Sequence, residues 1–91
     1  MIKRSDLIGN KTRVTFRLPN PVPASPVSVV GTFNDWAPGR HELQQRRDGS
    51  YSVTVTLGPG THRFRYLADG GIWFDDEHAD RVDDDGCHLH V

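Results

Sequence analysis

Tyr51-Ser-Val-Thr-Val-Thr-Leu-Gly-Pro-Gly-Thr-His-Arg-Phe-Arg-Tyr-Leu-Ala68 alternates apolar and polar side chains on both sides of a Gly58-Pro-Gly60 turn. A period of two marks strands with one face in a core. Tyr51, Val53, Val55 and Leu57 are therefore expected inward, with Ser52, Thr54 and Thr56 toward water. On the second strand Phe64, Tyr66 and Ala68 share one face, leaving Arg63, Arg65 and Leu67 on the other. Arg65 is accordingly expected to stand exposed on a rigid strand.

The same pattern continues outward in both directions. Asp48-Gly49 is a hairpin signal ahead of Tyr51. Lys11–Leu18 reads as a strand with Val14, Phe16 and Leu18 on one face and Arg13, Thr15 and Arg17 on the other. Pro19, Pro21, Pro23 and Pro26 remove too many N–H donors for a central strand, so this stretch is expected to cross between sheets or cover an edge. Val27–Phe33 reads as the next strand. Asn34-Asp35 and Pro38-Gly39 supply turn chemistry after it, placing Trp36 in the turn. A short strand at His41–Gln44 carries Leu43. Asp69-Gly70-Gly71 closes a further hairpin into Ile72–Phe74, the acidic stretch to Gly86 reads as a long loop, and Cys87–Val91 reads as the last strand. No eleven-residue window has helical apolar spacing. About seven short antiparallel strands separated by Gly, Pro, Asp and Asn turns predict an all-β chain with an immunoglobulin-like β-sandwich. Residues 1–10 are expected as an N-terminal arm, frayed or briefly helical, and 11–91 as a single domain.

Ninety-one residues make one domain, and a chain this short buries only about 60–65% of the surface its unfolded form exposes. A shallow surface site is expected in place of a deep cavity. Eleven Lys and Arg against twelve Asp and Glu leave a formal charge of −1, which gives no footprint for nucleic acid. The basic residues Lys3, Arg4, Lys11, Arg13 and Arg17 lie early and the aspartates crowd late, so the two blocks attract if the ends of the chain meet. Cys87 has no internal disulfide partner, and its alternation with Leu89 and Val91 suits a buried thiol. With no apolar run fit for a leader or a membrane span, a reduced, cytoplasmic setting is the expectation.

Two segments point to a family. Val27-Ser-Val-Val-Gly-Thr-Phe-Asn-Asp-Trp36, followed by Gly60-Thr-His-Arg-Phe-Arg-Tyr-Leu-Ala-Asp-Gly70 and Trp73, resembles the family-48 carbohydrate-binding modules. These are the "early set" sandwich domains found before the catalytic barrels of isoamylases and glycogen-branching enzymes, and as the glycogen-binding domain of the AMP-activated protein kinase beta subunit. The resemblance covers roughly residues 12–91. It implies that Trp36 and Trp73 stack on glucose rings while Arg65 contacts sugar hydroxyls. An indole can cover the C–H face of a pyranose while charge-assisted bonds take its rim. The chain departs from the pattern near its end: His88 stands where relatives place an asparagine, and no leucine precedes Gly86. Imidazole can still bond a hydroxyl, with fewer donors than an amide.

The expected function is a non-catalytic module for glycogen, starch or maltodextrin, an α-1,4-linked glucan, with Trp36, Arg65, Trp73 and His88 as binding residues. A glucan-metabolising enzyme or a second copy is the expected protein partner. The rival expectation is a protein-interaction or assembly domain of the same fold that has lost the sugar, since exposed tryptophans also serve protein interfaces. Glycoside hydrolysis needs two carboxylates fixed across a cleft, and here the carboxylates fall in a polar loop, so no catalytic residue is expected. An EF-hand reading of that loop would put Arg81 at the first ligand position and fails. His88 and His90, with His78 or a carboxylate, share spacing suited to zinc, but two ligands without an identified third do not make a site. Neither metal nor cofactor is expected.

Overall fold

The computed structural model describes residues 2–7, 9–19, 22, 25–76 and 79–91, and among these there is no helix. Among the described residues nine strands follow in order: β1 (Ile2–Leu7), β2 (Lys11–Leu18), β3 (Val27–Gly31), β4 (Gln44–Gln45), β5 (Tyr51–Leu57), β6 (Thr61–Ala68), β7 (Ile72–Phe74), β8 (Arg81–Asp83) and β9 (Gly86–His90). They form two antiparallel sheets, one ordered β1-β2-β5-β4 and the other β3-β6-β9-β8 with β7 also on β6. Between the sheets lie the apolar sides of the alternating strands. Val14 and Phe16 come from the first sheet and Val27, Val29, Phe64, Tyr66 and Leu89 from the second, all fully buried. Phe16 and Phe64 meet edge to face across the sheets with centroids 4.9 Å apart, a favoured aromatic geometry. The all-β sandwich read from the alternation is the observed fold.

Several element expectations need correction. Ile2–Leu7 is neither arm nor helix; it pairs with β2 from Ile2↔Phe16 to Leu7↔Lys11. Gly9 and Asn10 both adopt positive φ (84° and 63°) and turn the chain between the two strands, a conformation those two residue types tolerate best. Arg4 on β1 also reaches Asp80 at 2.8 Å, so the early basic and late acidic blocks do meet. The acidic stretch is not wholly loop: Arg81–Asp83 pairs with β9 as far as Asp83↔Gly86. The strand expected at Val27–Phe33 stops at Gly31, where Asn34 takes over the backbone bonding. Around His41 the chain changes sheets. Leu43 N donates to Val27 O and Val29 N to His41 O, after which β4 pairs with β5. Ser52, expected in water, is buried, because Arg46 Nε donates to its Oγ at 2.7 Å. Pro21, Pro23 and His78 lie outside the described residues.

For the site, the decisive feature is the change of partner along β6. One edge of β6 pairs with β3 over Phe64–Ala68. The other pairs with β9 over Thr61–Phe64 and with β7 over Tyr66–Ala68. Arg65 sits at that junction.

Candidate functional site

The outer face of the second sheet carries the candidate residues, and each is positioned by a local device. Trp36 is placed by the turn after β3. Asn34 is buried and organises that turn: Gly31 N donates to its Oδ1 at 2.9 Å, while its Nδ2 donates to Val29 O at 3.0 Å. The same amide lies 2.9 Å from His41 Nδ1. Gly31 O in turn accepts from Asn34 N and from Trp36 N. These bonds hold Asp35 and Trp36 at φ of 55° and 58°. Consecutive left-handed non-glycine residues cost free energy, and such strain persists only where surrounding bonds over-determine it. The Gly-Thr-Phe-Asn-Asp-Trp motif is thus a framework that presents a half-buried indole.

Trp73 is presented by alternation on β7. Phe74, opposite Tyr66, turns its ring inward with centroids 5.2 Å apart. Trp73, opposite Leu67, therefore faces out and is 50% exposed. The chain beyond β7 is pinned from inside. Tyr66 Oη donates to the buried Asp76 carboxylate at 2.7 Å, and Asp76 N donates to Cys87 Sγ at 3.1 Å. Burial, then the neighbouring Asp76 carboxylate, pushes the Tyr66 hydroxyl far above its usual range, and burial pushes the Cys87 thiol up to about 12. Both stay protonated at neutral pH, so Cys87 acts as packing and bond acceptor and is no nucleophile.

Arg65, expected to stand exposed on its strand, is half-buried and engaged. Its Nη2 donates to Asp84 O at 2.8 Å. Its Nε lies 3.4 Å from Asp75 Oδ1, within ion-pair reach, yet makes no hydrogen bond among the described residues. The side chain crosses Gly86. A Cβ on that glycine would sit 2.9 Å from Arg65 Nε and 3.1 Å from its Cγ, and φ there is +112°. Glycine is required twice over, for the backbone and for the arginine's path.

Trp36, Arg65 and Trp73 come together as the lining of one open groove of about 520 Å³, completed by Asp84 and Asp85. A second hollow of about 350 Å³ over Ser28, Leu67, Gly70 and Gly71 has no aromatic lining and so offers no stacking platform. His88 is not in the groove. Its Nε2 lies 3.0 Å from Asp83 Oδ1, and this contact is the main cause that holds the Asp83 carboxyl below its usual range. Asp84 and Asp85 were missed in the sequence reading because β8 was missed. The signal available was Gly86 after a run of turn-forming aspartates, which marks a hairpin tip. Among the described residues no three His, Cys, Asp or Glu side chains gather as a metal site; the third ligand considered for zinc, His78, lies outside them.

Residues 13–91 match the family described as the glycogen recognition site of AMP-activated protein kinase. The chain is 40% identical over 47 residues to the 5'-AMP-activated protein kinase subunit beta of Schizosaccharomyces pombe, covering 52% of this chain and 14% of that protein. It is 30% identical over 64 residues to Protein FLOURY ENDOSPERM 6, chloroplastic, of Oryza sativa subsp. japonica, covering 70% and 12%. It is also 30% identical over 70 residues to the amylopullulanase of Thermoanaerobacter thermohydrosulfuricus, covering 75% and 5%. The chain thus spans 14% or less of the length of each of these relatives. With both motifs seated on one sheet face of a β-sandwich and the match running through nearly the whole chain, this protein belongs to the glycogen-recognition-site family, the non-catalytic carbohydrate-binding modules of family 48.

Proposed function

We propose that this domain binds α-1,4-linked glucan, as glycogen, starch or maltodextrin, by stacking glucose rings on Trp36 and Trp73. The observation that carries the reading is the single groove lined by both indoles with Arg65. Apolar ring faces match the C–H face of a pyranose, and a guanidinium held at one side supplies donors to its hydroxyl rim. His88 contributes at one remove, by holding Asp83 and with it the turn that accepts the Arg65 bond. A shallow site of this kind exchanges water bonds for protein bonds, so affinity is set at micromolar to millimolar, on the order of −4 to −8 kcal/mol. Repetition along a polymer then raises retention. The partner class we propose is a glucan-metabolising enzyme, brought to its polymer by this module. Retention on an amylose column tests the reading: the wild type is retarded, while Trp36→Ala and Trp73→Ala elute unretarded with unchanged circular dichroism. Unretarded wild type, with the tryptophan variants altered in oligomeric state or partner capture, would instead support the assembly domain.

A further inference from the structure

We infer that the groove is charge-selective: Asp84 and Asp85 favour neutral or amine-bearing glucan chains over phosphorylated ones. The inference rests on the glucan reading and narrows it. Both residues form the tip of the β8–β9 hairpin and line the groove beside the tryptophans. The tip is fixed by three ties. Asp85 N donates to Asp83 Oδ1 at 2.9 Å, Arg65 Nη2 donates to Asp84 O at 2.8 Å, and the Asp83 carboxylate is held by His88 and by Arg81 at 2.9 Å.

These ties use the Asp83 carboxylate and the Asp84 carbonyl. The carboxylates of Asp84 and Asp85 are left without a hydrogen-bond or ion-pair partner among the described residues. Arg65 is the cation in the lining, and its Nε faces the Asp75 carboxylate at 3.4 Å. One guanidinium therefore stands against two unpaired carboxylates, with a third behind it. A carboxylate accepts bonds from adjacent sugar hydroxyls. A phosphate ester in the same place meets like charge, and at contact distance in water each such pair weakens binding about fivefold.

The test titrates three probes at low salt and neutral pH: maltoheptaose, its 6-phosphate ester and its 6-amino-6-deoxy derivative. The expected order is amine at least equal to neutral, with the ester weaker by about fivefold or more, and the gap narrowing at high salt. The readout is the ratio of ester to neutral affinity, so a general loss of binding cancels. Asp84→Asn with Asp85→Asn, which keeps the backbone bonds of the turn, should bring that ratio close to one, and Asp85→Asn alone should close part of it. An ester that binds the wild type as tightly as maltoheptaose, or a gap that survives the double substitution, overturns the selectivity. Failure of maltoheptaose itself to bind the wild type overturns the glucan reading as well, which separates the two failures.

Discussion

Asn34 shows how a motif of six residues becomes one placed indole. Its side chain satisfies backbone groups of Gly31 and Val29 in a buried turn, so Asn34→Ala leaves them orphaned and should cost about 2–6 kcal/mol, at about 1–3 for each unsatisfied group. Urea denaturation checks this; a change below 1 kcal/mol would contradict the role given to the amide. Trp73, half-exposed, carries little of the fold, and Trp73→Ala should change stability by about 0.5 kcal/mol or less while removing glucan retention. Gly86→Ala should do the reverse of a neutral change. It strains a φ of +112° and pushes Arg65 off its path, costing about 1–3 kcal/mol and weakening binding together with stability, as paired melts and titrations would show.

Strands that expose one face and bury the other were legible in the sequence: β2, β5, β6 and β7 have the bounds that the alternation predicts. The strands that were not legible share a physical reason. β1 reads Ile-Lys-Arg-Ser-Asp-Leu and β8 reads Arg-Val-Asp; both are edge strands with little apolar face, so they are held by ladder bonds and ion pairs instead of burial. Because β8 was unread, Asp84 and Asp85 were unread too, and the groove was legible only as two tryptophans and an arginine. Charges such as Lys3, Arg4 and Asp6 also blunt the open edge that β1 presents. Deleting residues 1–7 would bare the inner, more apolar β2 to solvent and cut its pairing. The expected outcome is a lower melting temperature and faster aggregation on heating, measured by light scattering against the intact chain.

Across the whole molecule, charge couples the sandwich to pH. Ser50 bonds, then Arg17, draw the Asp48 carboxyl down from 3.8 to about 2. Arg4 first, and His90 N after it, lower Asp80, and His88 lowers Asp83. A carboxyl with a lower pKa in the fold than in the unfolded chain stabilises the fold when ionised. That contribution is complete above the unfolded value and is lost as pH falls through the folded one. The melting temperature should therefore fall as pH drops from about 4 to 2. Asp48→Asn should flatten part of that fall, and a melting temperature that stays constant down to about pH 2 would contradict these pairings. Every one of these groups is at the surface, so the effect is a modest sum of small terms.

The central claim is that Trp36 and Trp73 form a platform for α-linked glucose rings. Titration of the purified protein with maltoheptaose, following tryptophan fluorescence with cellohexaose as the linkage control, tests it most directly. The account predicts a saturable change with maltoheptaose alone, with a midpoint in the micromolar to millimolar range, lost in Trp36→Ala. An unchanged spectrum up to about 10 mM, or an equal response to cellohexaose, would contradict it.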